Sequence, residues 1–396
     1  VEIFHVLHFK IEGGVWMKGL MRLVIIGLIL AVCGTMAYAA QDVIKIGVYE
    51  PLTGQNAFGG QLTVEGIQLA HEQAPTVLGK KVELVIVDNK SDKVEAANAV
   101  KRLIEREKVV SIIGSYGSSL CMAGGEVAEQ YRIPCITDSA TNPLVTQGKK
   151  YYFRMCFIDP FQGAAAARYA YNTLGVRKAA ILKDVAQDYC VGLAAFFKKA
   201  FLDLGGEVVA DLNYQSGDQD FTAQLTEIVS KGPQLLYIPS YFAEGAIIMK
   251  QARELGGKFH IMGGDAMDNP DMIKIGGEAV EGFIYTTFPY APEMPDMNPI
   301  AKEFTKAFRE KYKKEPNANA ALGYDCYMLI IDCIKRAGKA DPEAIREQLE
   351  KTKDWVGVTG STTIDENHNA IKAVGIKMVK NGKQVYVATV PPETGK

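Results

Sequence analysis

Apolar and polar positions alternate in blocks along this chain, and the blocks take two periods in turn. Residues 45–50 read as a first strand, and Val82, Leu84 and Ile86 mark a second. Residues 109–114 are nearly all apolar, as a strand covered on both faces should be. The stretches between them have a helical period. Residues 61–74 place Ile67, Ala70 and Ala74 on one face, and residues 93–108 do the same with Val94, Ala97, Val100 and Ile104. Asp92, three residues before Glu95, opens the latter helix in the manner of a capping box. A Gly/Ser loop at 115–119, a helix at 120–131, a strand at 133–137 and a polar loop at 138–141 follow. Strand and helix thus alternate without a break, which predicts a parallel sheet with right-handed crossovers.

A strand at 151–157 leads out of this unit, and a second α/β series begins. Its helices are expected at 161–174, 189–204, 221–230 and 243–255. Its strands are expected at 178–183, 207–214, 234–239, 260–264 and 281–288. Helices at 299–312, 318–337 and 342–351 belong to neither series by order alone. Residues 371–379 and 384–390 form a hairpin-like pair around Asn381-Gly382, a strong turn signal.

Composition narrows the class. The 396 residues are 48% hydrophobic and 23% charged with a formal net charge of −2, which fits about two globular domains and offers nothing to nucleic acid or an anionic membrane. Lys18 and Arg22 precede an apolar run at 23–32, and Ala37-Tyr38-Ala39 supplies small residues beyond it. This predicts a secretory signal peptide cleaved after Ala39, and so a periplasmic location. The six cysteines beyond the leader (121, 135, 156, 190, 326 and 333) show no C-x-x-C spacing, and buried free thiols are the simpler expectation. No metal site and no cofactor is expected. Gly54 and Gly59 imitate a phosphate-binding loop, but the lysine position holds Gly60 and the motif fails.

Candidate chemistry gathers where strands end. Open α/β sheets bind ligands at the carboxyl ends of their strands, and two lobes invite a cleft between them. Ser118, Ser139, Ala140 and Thr141 lie in two neighbouring loops of the first unit, which offer hydroxyls and helix-start N–H groups suited to a carboxylate. Asp265 ends a strand of the second unit, where it can pair with an ammonium. Tyr189 and Tyr241 sit at strand ends and can wall an apolar side chain, and Phe58, at the tip of an expected loop over 55–60, is either a lid or a plug. Each has a plainer explanation: serines cap turns, a strand-end aspartate caps a helix, and tyrosines line rims. Their recurrence at one end of both units is what points to an α-amino acid. An enzyme is not indicated, because His71, His260 and His368 are the histidines beyond the leader and none lies by a nucleophile in sequence.

The runs IKIGVYEPLTG, Gly114-x-x-Gly-Ser-Ser, Ser139-Ala140-Thr141-Asn142-Pro143, YYFRMCFIDPFQG and EGFIYTTFP resemble those of the periplasmic leucine/isoleucine/valine-binding proteins, the type I solute-binding proteins of ABC importers. The likeness extends over about residues 44–390. It implies an α/β fold of two doubly wound parallel-sheet lobes joined by a three-stranded hinge. The lobes would comprise 40–158 with 289–362, and 159–288 with 363–396, after a leader over 1–39. It also implies roles. Ser118 and Thr141 would hold the ligand's carboxylate and ammonium, Ser139 would offer a carbonyl, Asp265 would neutralise the ammonium, and Phe58, Tyr189 and Tyr241 would line the side-chain pocket. This chain departs from the pattern at Gly117, where a cysteine is frequent, at Asp265, where Glu is common, and at Phe58, where Tyr is common. The expectation is a monomeric receptor that passes an apolar, branched-chain amino acid to the permease subunits of an ABC transporter. The alternatives are the same fold binding an aromatic acid, urea or a short amide, or acting as a sensor.

Overall fold

Strand β1 (Ile44–Glu50) is covered on both faces and lies at the centre of the first sheet. In this computed structural model, residues 43–294 and 296–392 are described, so the expected leader, signal peptide and cleavage after Ala39 lie outside the described residues. After β1 come α1 (Ala57–Gln73), β2 (Thr76–Val77), β3 (Lys80–Asp88), α2 (Lys93–Glu105), β4 (Ser111–Ile113), α3 (Ser118–Tyr131), β5 (Cys135–Thr137) and β6 (Tyr152–Arg154). The sheet order is β2-β3-β1-β4-β5-β6, parallel except for β2. Alternate strand residues face opposite layers. Val48, Ile113 and Ile136 pack with Ile67 of α1, while Ile112 and Cys135 pack with Leu103 of α2 and Leu120 of α3.

The second series runs α4 (Asp159–Arg168), β7 (Lys178–Asp184), α5 (Asp188–Asp203), β8 (Glu207–Tyr214), α6 (Thr222–Lys231), β9 (Leu235–Ile238), α7 (Phe242–Glu254), β10 (His260–Gly263), α8 (Asp271–Gly276) and β11 (Ile284–Thr287). Then come α9 (Pro299–Tyr312), α10 (Ala318–Ala337), α11 (Pro342–Glu350), β12 (Trp355–Gly357), β13 (Gly360–Thr362), β14 (Val374–Lys380) and β15 (Lys383–Val390). The second sheet has the order β15-β14-β11-β10-β9-β7-β8, with the last two strands of the chain antiparallel at one edge. Asn381 and Gly382 both take positive φ, as their two-residue turn requires. The chain passes between the two sheets after β6, after β11 and after β13. The fold is therefore two mostly parallel α/β lobes joined by three connections, as the resemblance implied.

The helices that sequence order could not place pack on the first sheet. Helix α10 crosses α1 at Gly66 and Gly323. A Cβ on Gly66 would fall 1.9 Å from the Ala320 carbonyl oxygen, and one on Gly323 would fall 2.3 Å from that of Thr63. Two glycines thus let the helix axes approach closely.

The expected loop at 55–60 needs correction. Helix α1 begins at Ala57, so Phe58 lies in its first turn and not at a loop tip. Gly59 and Gly60 read as breakers but serve packing. A Cβ on Gly59 would meet the Tyr116 ring at 2.5 Å, and one on Gly60 the Pro51 carbonyl at 2.3 Å. Strands β4 and β5 are also shorter than the apolar runs suggested, because the flanking apolar residues pack without joining the ladder. Helix α4 starts two residues earlier than expected, with Pro160 in its first turn where the missing N–H costs nothing.

Candidate functional site

Two loops meet at the carboxyl end of the first sheet. After β4, Gly114 and Gly117 take φ +129° and +97°, which a side chain would strain, and they turn the chain into α3. Ser118 and Ser119 then open a helix whose first amides have no carbonyl partner within it. The Ser118 hydroxyl accepts the Asn142 N–H at 3.2 Å, which ties this loop to the next. In the second loop, Ser139 donates its hydroxyl to Asp138 at 2.7 Å. Ala140 directs both its backbone groups inward: its N–H reaches Thr137 Oγ1 at 3.1 Å and its carbonyl accepts Arg154 Nη1 at 2.6 Å. Ala140 therefore offers no free amide, and its methyl group packs into the core. Thr141 is fully covered, yet its Oγ1 has no hydrogen-bond partner.

Arg154 shapes this second loop from below. It is wholly buried and donates to the carbonyls of Ala140 and Asn142 and to the side chains of Thr146 and Asn369. A guanidinium suits the task because its planar fork reaches several acceptors at once. Glu50 and Asp138 are buried nearby, and each leaves one carboxyl oxygen without a donor. Burial first, then the charge of Asp138, pushes Glu50 well above the usual carboxyl range. Burial pushes Asp138 up as well, opposed by the hydroxyls of Ser139 and Thr63.

The second lobe supplies Asp265, immediately after β10 and Gly264. Its Oδ1 accepts from Gln162 Nε2 at 2.7 Å and from the Tyr189 hydroxyl at 3.0 Å. Tyr189 was expected as an apolar wall; it also orients this carboxylate. Burial pushes Asp265 up to about 7, opposed by those two hydrogen bonds. Asp159 and Gln162 lie three apart on α4 and so share a face. The Asp159 N–H donates to the Thr141 carbonyl at 2.9 Å, while Gln162 holds Asp265. One helix therefore bridges the two candidate groups. Asp159 is fully buried and both of its carboxylate oxygens lack a partner. Burial, then the charge of Asp265, drives its acid well above the usual range. The nearby Thr141 hydroxyl and the more distant charge of Arg154 oppose that rise, and neither forms a direct ion pair with Asp159. Sequence reading missed Asp159, because an acid in the first turn of a helix ordinarily serves the helix dipole.

Beside Asp265 lies a narrow chamber between the lobes, with about 10 Å³ of free space, room for about one water. Aromatic rings form much of its wall. Phe58 and Phe242 face each other across the lobes with ring centres 5.7 Å apart, and Tyr241 stands 5.9 Å from Tyr116 and 5.8 Å from Tyr189. The lobes are in contact around it. Gln55 donates to Glu244 at 2.6 Å, Ser119 to Asp188 at 2.8 Å, and Asn142 Nδ2 to the Asp188 carbonyl at 2.8 Å. Ser118, Ser139, Ala140 and Thr141 thus line one lobe's strand ends, Asp265, Tyr189 and Tyr241 the other's, and Phe58 closes one side. A wider groove of about 620 Å³ beside Tyr290 and Lys372 is open to solvent and holds none of these residues.

Two α/β lobes closed over buried, unneutralised polar groups define a receptor for a small solute. The chain belongs to the periplasmic binding proteins, whose family profile matches residues 43–384, and among them to the leucine/isoleucine/valine-binding proteins of ABC transporters. It is similar to the crystal structure of the leucine-binding protein LivK of Thermotoga maritima. The TM-score is 0.86 and the identity 49%, covering 88% of this chain and 99% of that one. It is 30% identical to the leucine-, isoleucine-, valine-, threonine- and alanine-binding protein of Pseudomonas aeruginosa, over 88% of this chain and 93% of that protein. A Rhodopseudomonas palustris solute-binding protein, solved with 3,4-dihydroxybenzoic acid, superposes with a TM-score of 0.78 at 25% identity over 89% of this chain and 98% of that one.

Proposed function

We propose that this protein is a non-enzymatic receptor outside the cytoplasm that captures one α-amino acid between its lobes and presents the closed complex to an ABC permease. The jaws are residues 40–158 with 289–362, and 159–288 with 363–396. The free amides at the start of α3, with Ser118 and Thr141, receive the carboxylate. The ammonium lies against the Thr141 hydroxyl, the Ser139 carbonyl, Asp159 and Asp265. The observation that carries this reading is the cluster of unpaired acceptors, namely both oxygens of Asp159 and the oxygen of Thr141, packed beside Asp265. Buried carboxyls that face each other either hold a proton or take a cation between them, and an ammonium is the cation an amino acid brings. The ligands in the names of the relatives support a side chain among the small aliphatic and related amino acids.

An aromatic acid is the second reading, supported by the Rhodopseudomonas relative. Such a ligand has no ammonium, so Asp159 and Asp265 would stay unneutralised. Native mass spectrometry of the exported protein identifies what it carries. Asp265→Ala and Asp159→Ala should each weaken amino-acid binding by roughly 100-fold or more, the scale of an unpaired buried charge. Undiminished amino-acid binding in both variants would refute the assignment of the ammonium site.

A further inference from the structure

Two fully buried acids of the first lobe, Glu50 and Asp138, lie outside the ammonium site yet hold the loops that form it. Glu50 is the last residue of β1, and Asp138 is the first after β5. Glu50 Oε2 accepts the Tyr116 N–H at 2.7 Å, two residues before Ser118. Asp138 Oδ2 accepts the Ser139 hydroxyl at 2.7 Å and the Thr63 hydroxyl of α1 at 2.8 Å. None of these donors is a cation. The remaining oxygens, Glu50 Oε1 and Asp138 Oδ1, have no donor among the described residues. The two carboxyls nevertheless lie within hydrogen-bond reach of each other. Two ionised carboxylates at that range, buried and with no cation between them, repel, and a proton held by one of them removes the conflict.

We propose that Glu50 is a positioning residue for ligand capture: as a neutral acid it donates a hydrogen bond to Asp138, and so ties the loop that carries Ser118 to the loop that carries Ser139 and Thr141. The proposal rests on the reading of those loops as the receptors of the ligand's carboxylate and ammonium. The proton belongs on Glu50 because the negative charge belongs on Asp138. Asp138 has two hydroxyls to stabilise an anion, where Glu50 has one amide. Glu50 then accepts from the loop after β4 with one oxygen and donates toward the loop after β5 with the other. Strands β4 and β5 are neighbours, so their loops leave the same edge of the sheet, and the link fixes the gap between them. Its reach extends to the chamber wall. Tyr116, whose N–H Glu50 holds, stands 5.9 Å from Tyr241 of the other lobe. Without the link, two buried acceptors are left bare, which is the costly alternative.

Glutamine tests this arrangement, because its amide matches a neutral acid: Oε1 accepts the Tyr116 N–H while Nε2 donates to Asp138. A leucine side chain fills the space and does neither. The full chain, stripped of bound ligand, is compared with Glu50→Gln and Glu50→Leu in two measurements. In infrared difference spectra at neutral pH, parent minus Glu50→Gln should show the C=O stretch of a protonated carboxylic acid. In calorimetric titration with free leucine, Glu50→Leu should bind at least about tenfold more weakly than the parent, and Glu50→Gln within about threefold of it. The proposal is overturned if the difference spectrum shows only ionised carboxylate, if Glu50→Gln loses about tenfold or more in affinity, or if folded Glu50→Leu binds as the parent does. Should Glu50→Leu not fold, the spectrum and Glu50→Gln decide. A parent that takes up no amino acid fails the α-amino-acid reading instead. Amide hydrogen exchange at residues 115–119 then reads the link, quickened in Glu50→Leu and parental in Glu50→Gln; exchange that is unchanged in Glu50→Leu overturns it.

Discussion

At the scale of the residue, the chemistry turns on carboxyl groups whose charge the protein alone does not neutralise. Asp265 has its acid raised to about 7 by burial, even with Gln162 and Tyr189 donating to it. An ammonium pairs with the ionised form, so ligand binding expels a proton when the pH is below that value. Affinity should therefore fall as pH drops from 7 toward 5, by up to roughly tenfold per unit, and level off above 7. Titrations at several pH values check this, and Asp265→Asn should flatten the profile while weakening binding. Stability of the ligand-free protein runs the other way. A carboxyl raised in the folded state contributes stability that is fully present below about pH 4 and lost as pH rises through about 7. The thermal midpoint of the ligand-free protein should show this decline, and Asp265→Asn should remove its share of it. Tyr189→Phe deletes one donor to Asp265 at little change in volume, and should weaken ligand binding by about tenfold or less, the size of one charged hydrogen bond.

At the scale of the element, small residues decide where helices and loops may approach. Gly66 and Gly323 sit at the crossing of α1 and α10, where either Cβ would collide with a backbone carbonyl that cannot yield. Gly66→Ala and Gly323→Ala should each destabilise the fold by about 1–3 kcal/mol or more, read as a lowered urea midpoint at unchanged slope. Gly117 adds a functional constraint. At φ +97° it caps α3, and a Cβ there would lie 3.2 Å from Asn56 Nδ2 and 3.3 Å from the Tyr241 hydroxyl. Any side chain at this position would press on both, which accounts physically for the glycine here. The thiols match this picture of close packing: Cys121, Cys135, Cys156, Cys190, Cys326 and Cys333 are all buried, and burial pushes Cys121 up to about 12.

At the scale of the whole molecule, the proposed function is the closing of one lobe on the other. Asp188 gathers much of the closing contact. Its Oδ2 receives Lys93 Nζ at 3.1 Å and the Ser119 hydroxyl at 2.8 Å, while its N–H donates to that same hydroxyl at 3.1 Å. The Lys93 pair is largely exposed and worth little by itself, whereas the half-covered Ser119 contact contributes more. Asp188→Ala should lower the closed population and so raise the apparent Kd about fivefold, mainly through faster release, without touching the ligand. Stopped-flow release and small-angle scattering of the loaded protein check it; an unchanged release rate would mean that these contacts do not hold the jaws shut.

Much of this was legible in the residues. Alternating apolar strands and amphipathic helices dictate parallel sheets, because each block can bury its face only against the other kind. The position of Ser118, Thr141 and Asp265 at strand ends follows from that order, since the period along the chain puts every such loop at the same edge. Asn381-Gly382 could be read as a turn because few other pairs tolerate two positive φ values. Other features depended on distant segments meeting. Nothing in Asp159-Pro160-Phe161-Gln162 says that one acid will be left bare and a glutamine three residues on will brace another carboxylate. Helices α9 to α11 return to the first lobe because the α1 face is apolar and unpartnered there, and Arg154 is organised by carbonyls whose positions are set by the turn at 138–142. Local pattern determined the elements and the edge at which chemistry gathers, because both follow from side-chain period. Which groups end up dry and unpaired was decided only by tertiary packing, since desolvation belongs to the neighbours and not to the residue.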